Sequence, residues 1–404
     1  MTMAADKQDK VLNVPTLRFP EFSGDWKEST IGKEFELYSG NTPSRLDKEN
    51  FIGDVNWITS GELKDHYIGD TKEKISEKSA KENNLRLMPE GTFVIAIYGL
   101  EAEGVRSTGS IITKRSTISQ ACMAFTPKGN ISNEFLYSWY KKHGNIIGIR
   151  YAQGTKQQNL SYDIIEKFKI LYPSLKEQDK LNSFISLLDT RIATQIRIIK
   201  ELQSLISGIT HKISKHSTIR RTMLKELLCE RHEKNSLLFP VHSVSVSEGI
   251  VNQIEYLGRS FSAADTSNYN VAHKGDIIYT KSPTGDFPFG IVKRSAIETN
   301  VAVSPLYGVY QPVSDEVAVY LHYYFCSPLN AQNYLHKLIQ KGAKNTINIA
   351  NQRFLENYVP LPNKDTLSKF VLLMNVVSEK LNSEKSLLNA LQSQKSYLLK
   401  EMFV

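Results

Sequence analysis

Two short stretches of this chain gather the groups that bind phosphate and read base edges. Between residues 141 and 162 stand four basic residues, Lys141, Lys142, Arg150 and Lys156, and no acid. Between residues 327 and 355 stand four more, Lys337, Lys341, Lys344 and Arg353, again without an acid. Each stretch centres on a Gly-x-Lys with carboxamides close by: Gln157, Gln158 and Asn159 in one, Asn345, Asn348 and Asn351 in the other. Basic side chains near phosphates supply affinity that weakens with salt, and a carboxamide's paired donor and acceptor suit an adenine edge. Arg45, Arg106, Lys114, Arg115, Lys281, Lys293 and Arg294 lie in Gly/Ser/Thr-rich loops and join the candidates for DNA contact. Any one of them alone is most simply a solvated surface charge. The repetition of the set at equivalent places favours a nucleic acid.

Catalytic constellations are absent from the sequence. There is no Gly-x-x-x-x-Gly-Lys-[Ser/Thr] phosphate loop, no Gly-x-Gly cofactor turn, no Asx-Pro-Pro-aromatic motif and no His-Glu-x-x-His. Asp54 followed by Glu62-Leu63-Lys64 has the outline of a metal-dependent nuclease site. Its spacing is short, Gly53 stands where a proline usually precedes the aspartate, and the second half of the chain has no counterpart. A polar loop after a strand at 55–59 is the simpler reading. A stand-alone nuclease using Asp54, Glu62 and Lys64 is the alternative function.

The elements that must position these residues repeat. At an offset of 189, Asn159-Leu160-Ser161 matches Asn348-Ile349-Ala350, Pro173 matches Pro362, and Leu202-Gln203-Ser204 matches Leu391-Gln392-Ser393. The offset drifts to 188 at Gly154/Gly342 and to 184 at Gly91/Gly275, as loop insertions in a duplicated domain would make it. Each copy opens with a mixed region of strand-like runs, at 92–98, 109–112, 121–125, 276–280, 289–292 and 301–310. Helix-like patterns interleave at 133–143 and 316–326.

After Pro173 and Pro362 the hydrophobic period changes from 2 to 3.5. The seam expected in the first copy comprises Leu181, Ile185, Leu188, Ile192, Gln195, Ile199 and Leu202; in the second, Phe370, Met374, Val377, Leu381, Glu384, Leu388 and Leu391. Two matched stripes of about five heptads are satisfied by burying them against each other. Gln195 and Glu384 interrupt the stripes near their midpoints, where the helices of an antiparallel pair would meet, so a hydrogen bond between them is expected. Residues 223–228 resemble 398–403 at an offset of 175, two heptads short of 189, which leaves open a longer first helix. His216 and Arg220 are poor seam residues and speak against it.

Length and composition bound the rest. The chain has 404 residues, 41% of them hydrophobic, enough for more than one core. No apolar run reaches the roughly 18 residues of a membrane span, residues 1–10 lack the stretch of a signal peptide, and a cytoplasmic location is expected. Cys122, Cys229 and Cys326 form no Cys-x-x-Cys pair, which indicates neither a disulfide framework nor a zinc ribbon. The net charge of +8 favours a polyanionic partner.

Two similar domains on a helix pair make a ruler. A 40-residue helix is about 60 Å long, more than one DNA turn of about 34 Å. A bipartite, asymmetric target with an unread spacer is therefore expected.

The chain resembles the DNA-specificity subunit of type I restriction–modification enzymes over essentially its whole length. The likeness rests on VPTLRFPEFSGDW near the start, SGNTPSR (39–45), VNWITSGELKD (55–65), QGTKQQNLS (153–161) and ILYPSLKEQDKL (170–181). YLGRSFSAADTSNYNV (256–271), GDIIYTKSPTGDFPFGIVK (275–293), SPLYGVY (304–310) and VPLP (359–362) continue it. The second copy departs from the family pattern at Asn345-Thr346-Ile347-Asn348 and lacks Glu-Gln after VPLP. The resemblance implies an α+β fold: two mixed α/β target-recognition domains joined by two long helices pairing as an antiparallel coiled coil. The expected division is a disordered arm at 1–11, recognition domains at 12–172 and 231–361, a spacer helix and linker at 173–230, and a second spacer helix at 362–404. It further implies double-stranded DNA as partner and two modification subunits that bring S-adenosylmethionine and methylate adenine. Restriction subunits would bring ATP, magnesium and cleavage. No cofactor and no catalysis of its own is expected of this chain.

Overall fold

The computed structural model describes residues 13–154, 156–215, 219–259, 262–341 and 347–404. The arm expected at 1–11 lies outside them. The fold is α+β, with two similar mixed α/β domains joined by two long helices. By contact the chain divides into two compact units, Met1–Thr194 with Leu388–Val404, and Gln195–Leu387.

The first unit is built on a five-stranded sheet. Its strands are β1 (Lys27–Thr30), β2 (Phe35–Ser39), β3 (Val55–Ile58), β4 (Tyr67–Ile68), β5 (Lys74–Ile75), β6 (Phe93–Ala96), β7 (Gly109–Ile112), β8 (Ser116–Ile118), β9 (Cys122–Pro127) and β10 (Lys169–Tyr172). The main sheet runs β2-β9-β6-β7-β4, a second runs β5-β3-β8, and β1 pairs antiparallel with β10. The central strand β6, Phe-Val-Ile-Ala, is buried on both faces, which explains its unbroken apolar run. Each of its larger side chains contributes about 1.5–3 kcal/mol by leaving water. Helix α1 (Asn133–Tyr151) covers the sheet and starts at Ser132, whose hydroxyl accepts the Phe135 amide.

The second unit repeats the plan. Its strands are β11 (Arg220–Met223), β12 (Leu228–Glu230), β13 (His242–Ser245), β14 (Gly249–Asn252), β15 (Asn270–Ala272), β16 (Ile277–Thr280), β17 (Ile291–Arg294), β18 (Val301–Val303), β19 (Gly308–Pro312), β20 (Gln340–Lys341), β21 (Ile347–Asn348) and β22 (Tyr358–Leu361). The order β12-β19-β16-β17 matches β2-β9-β6-β7, and the pair β11/β22 matches β1/β10. Even register is kept: Phe93 lies opposite Phe125 as Ile277 lies opposite Tyr310. The copies differ in extent: the parallel β3/β8 pairing shrinks in the second unit to one bridge between Val241 and Ala302, and the antiparallel β15/β18 pairing has only the Met88–Ser116 bridge as its counterpart in the first. They differ also in the covering helix, here α3 (Asp315–Cys326) and α4 (Pro328–Leu335), broken at Pro328 because proline opens a new helix rather than continuing one.

The long helices are α2 (Leu175–Ser214) and α5 (Lys364–Met402). Each contributes residues to both units. In the first unit, Leu181 and Ile185 share a core with Leu398 and Met402, and Lys395 pairs with Asp189. In the second, Ile206, Ile209 and Ile213 pack on the core that holds Leu367, Phe370 and Met374. The helices therefore run antiparallel in each unit. All the expected seam residues, Ile192, Leu202, Leu381 and Leu388 included, are buried or half-buried. The two polar interruptions meet: Gln195 Nε2 donates to the Glu384 carbonyl at 3.1 Å and to its carboxylate.

One possibility that the sequence left open is closed here, and one expectation fails. The first helix does not continue to residue 228. Residues 220–223 pair with Tyr358–Leu361 as an edge strand, and Leu224, Leu227 and Leu228 enter the second core. The run 301–310 is two strands, parted by a turn at Ser304 whose carbonyl accepts the Tyr307 amide, because Pro305 has no amide to keep pairing.

Candidate nucleic-acid interface

In each unit the residues that flank the Gly-x-Lys pair antiparallel. In the first, Gln153 and Asn159 exchange both backbone hydrogen bonds at 2.8 Å, closing a turn over 154–158. Gly154 makes the turn possible: its φ is +118°, and a Cβ there would lie 2.1 Å from the Gln157 carbonyl oxygen. The hairpin is tied down by Leu100 N–H to Gln158 O, by Leu160 N–H to Ile97 O, and by Gln158 N–H to Glu101 Oε2, each 2.9 Å. Lys156 and Gln157 stand exposed at its tip, while Asn159 is half-buried with Oδ1 unbonded. In the second unit β20 and β21 form the equivalent pairing, Gln340 opposite Asn348. Lys344 and Asn345 lie outside the described residues.

The remaining candidates separate by environment. Lys114 and Arg115 are exposed in the turn between β7 and β8. Arg45 is clamped by Glu73 through two hydrogen bonds of 2.7 and 2.9 Å and lies over Phe51 and Trp57. Glu73 therefore raises its already high pKa, and a phosphate would have to displace that carboxylate. Arg106 does not face outward. It donates to the Leu100 and Glu101 carbonyls and packs on Gly148, stapling its loop to α1. Lys281 is half-buried, and burial lowers its pKa. Arg294 is held by Asp315. Lys293 is turned inward, 6% exposed, with Nζ near Cys326, so it is not presented to a duplex.

Two lysines of the first basic stretch are likewise inward. Lys141 donates to the Ser107 carbonyl at 2.9 Å and lies over Tyr137; burial, then the charge of Lys395, lowers its pKa to about 8. Lys142 donates to the Lys400 carbonyl at 3.0 Å. A lack of nearby acids in sequence says nothing about burial, and the sequence reading misplaced both for that reason.

The Asp54/Glu62/Lys64 outline is not assembled as a metal site. Glu62 Oε2 accepts the Thr59 amide and hydroxyl at 3.0 and 2.8 Å, and Oε1 accepts the Lys72 amide at 2.8 Å. This is a capping box on the short 3-10 turn Ser60–Glu62. Among the described residues no cluster of His, Cys, Asp or Glu could hold a metal, and no helix is long and apolar enough to cross a membrane.

The sequence reading missed a cluster in the first unit. His66 is sandwiched between Tyr67 and Tyr137, with Glu134 at 2.9 Å and Asp189 at 3.7 Å. Its members are far apart in sequence and carry no motif.

Known proteins share both the sequence and the shape. Residues 23–204 match the family described as Type I restriction modification DNA specificity domain. The type I restriction enzyme MjaIX specificity subunit of Methanocaldococcus jannaschii is 29% identical over 172 residues, which is 42% of this chain and 39% of that protein. The match thus spans well under half of that relative's length. The S subunit of a type I restriction-modification system from M. genitalium superposes with a TM-score of 0.61 at 16% identity, over 97% of this chain and 99% of that one. A chain from a study of assembly and conformational transition in a type I restriction-modification system gives 0.55 at 12% identity, over 94% and 97%. Residues 23–204 thus match a type I restriction modification DNA specificity domain, and the chain that contains them shares the fold of the type I restriction–modification S subunit from M. genitalium.

Proposed function

We propose that this chain is the DNA-reading subunit of a type I restriction–modification assembly. Each α/β domain reads one half of a bipartite, asymmetric site, through Lys156, Gln157, Lys114 and Arg115 in the first unit and through Lys344, Asn345 and Asn348 in the second. The observation that carries this reading is the duplicated domain, whose two copies have an antiparallel pairing at the same place in the fold, flanking a Gly-x-Lys in the sequence of each. Two copies with different side chains suit two half-sites with different sequences.

The paired helices fix the separation of the half-sites and offer surface to two modification subunits. Those subunits supply S-adenosylmethionine and methylate adenine, while restriction subunits supply ATP hydrolysis, magnesium and cleavage. The chain itself binds and orients; it breaks no bond. The engagement of Glu62 in a cap argues against the nuclease alternative.

Methylome sequencing of the host with and without the gene tests the reading. Loss of one bipartite adenine motif is the expected result. An unchanged methylome in a strain whose modification subunits are expressed would overturn it.

A further inference from the structure

The second unit holds a half-buried nucleophile that DNA recognition does not use. Cys326 ends α3 one turn after His322, and Lys293 reaches it from β17. Lys293 Nζ lies 3.3 Å from Cys326 Sγ, and His322 Nε2 lies 3.8 Å from it. The backbone N–H of Arg294 donates to His322 Nδ1 at 3.2 Å, so the neutral ring carries its proton on Nε2, facing the sulfur. Two N–H donors therefore converge on Sγ, an arrangement that suits a thiolate. The same geometry disfavours a metal, because Nε2 has no lone pair to give while Nδ1 accepts.

The sulfur is reachable. It lines a cleft of about 1020 Å³ between α3, β17, the β13–β14 turn and the two long helices. The ionisable groups facing the cleft are Lys293 and Arg294 from β17, His322 and Tyr323 from α3, His211 from α2, and Glu248 from the turn. Arg294 is engaged by Asp315, Tyr323 hydrogen-bonds Ser378, and Glu248 lies 3.7 Å from Lys385. Among the described residues, Lys293 and His322 are the ones whose nitrogens contact the sulfur. Burial pushes the thiol up, but His322 and Lys293 outweigh it and bring its pKa down to about 6. Cys122 shows what burial does without such partners: its thiol is pushed up to about 12.

We propose that Cys326 is a reactive thiolate, modified through this cleft by small uncharged electrophiles, hydroperoxides included. With hydrogen peroxide the sulfur attacks one oxygen, an S–O bond forms as the O–O bond breaks, and hydroxide leaves. The sulfur is oxidised to a sulfenic acid, and the peroxide is reduced. With iodoacetamide an S–C bond forms and iodide leaves, with no proton to remove.

The test uses the intact chain and iodoacetamide, with labelling of each cysteine followed by mass spectrometry from pH 7 to pH 9. N-acetylcysteine in the same tubes is the reference. A thiol near the ordinary value of about 8.5 gains roughly 25-fold in rate over that range, whereas Cys326 is expected to gain less than about twofold. Absolute rates discriminate less well, because nucleophilicity falls with pKa. Lys293→Met should steepen the Cys326 profile toward the reference, and brief peroxide treatment should block alkylation at Cys326 with recovery on reduction. A Cys326 profile parallel to N-acetylcysteine in the native protein would overturn the proposal. So would labelling of Cys326 only in step with buried Cys122, which would mark unfolding rather than access.

Discussion

Replacing His66 with phenylalanine should make the first unit less stable in acid than in base relative to the parent. The ring lies flat between Tyr67 and Tyr137, at centroid distances of 4.1 and 3.9 Å, and phenylalanine keeps that sandwich. What it removes is the charge beside Glu134 and Asp189. Burial works against the imidazolium, but those two carboxylates outweigh it and raise the His66 pKa above its ordinary value. A pKa raised in the folded state stabilises fully below the unfolded value of about 6.5 and is lost as pH rises through the folded value. A hydrogen bond to a charged group contributes about 1.5–3 kcal/mol. The Glu134 side chain is 36% exposed, and solvent screening reduces the figure to about 1–2 kcal/mol. With a urea m-value of about 2–3 kcal/mol/M, the midpoint should fall by about 0.5 M at pH 6 and by much less at pH 9. Trp26, Trp57 and Trp139 are the three tryptophans of the chain and all belong to the first unit, so intrinsic fluorescence reports that unit's unfolding. An equal loss at both pH values, or a larger loss at pH 9, would refute the assignment of a charged His66.

Three further outcomes are expected. Lys156→Ala should weaken binding to every DNA sequence and reduce the slope of log K against log salt by about 0.9, read by fluorescence anisotropy across a salt series. Inserting one heptad into both α2 and α5, beside Gln195 and Glu384, lengthens the helix pair by about 10.5 Å. The spacer in the methylated motif should then grow by about 3 base pairs with the half-sites unchanged, as methylome sequencing would show. Glu62→Ala removes the capping box at Thr59 and should cost the first unit about 1 kcal/mol in urea melts. Metal-dependent DNA cleavage by the purified chain, abolished by this substitution, would instead restore the nuclease reading.

What the sequence made legible was periodic or repeated. The 3.5-residue stripes located both long helices, and the single polar break in each anticipated that Gln195 and Glu384 would meet. The 189-residue offset anticipated that β10 and β22 would occupy the same place, which they do, paired with β1 and β11 in equivalent register. Long-range choices were not legible. Residues 220–223 become a strand because an edge at 358–361 is free to pair, and nothing local announces it. Arg45, Arg106, Lys141 and Lys293 look like surface cations in one dimension. Their partners Glu73, Leu100, Ser107 and Cys326 are 28, 6, 34 and 33 residues away. The His322-x-x-x-Cys326 spacing, one helical turn, was the one readable sign of the thiolate cluster.

The first core is completed by residues far downstream. Leu398, Met402 and Phe403 are buried in it, and the Phe403 ring lies 5.2 Å from that of Phe135. The second unit, 195–387, is contiguous in the chain and is synthesised before those residues emerge. Order of translation and order of completion are therefore inverted: the portion made first waits, with apolar surface on α1 uncovered, until residues 398–403 have been made. A premature stop shortly before residue 398 would leave the later-made unit whole and strand the earlier one as a substrate for chaperones and proteases.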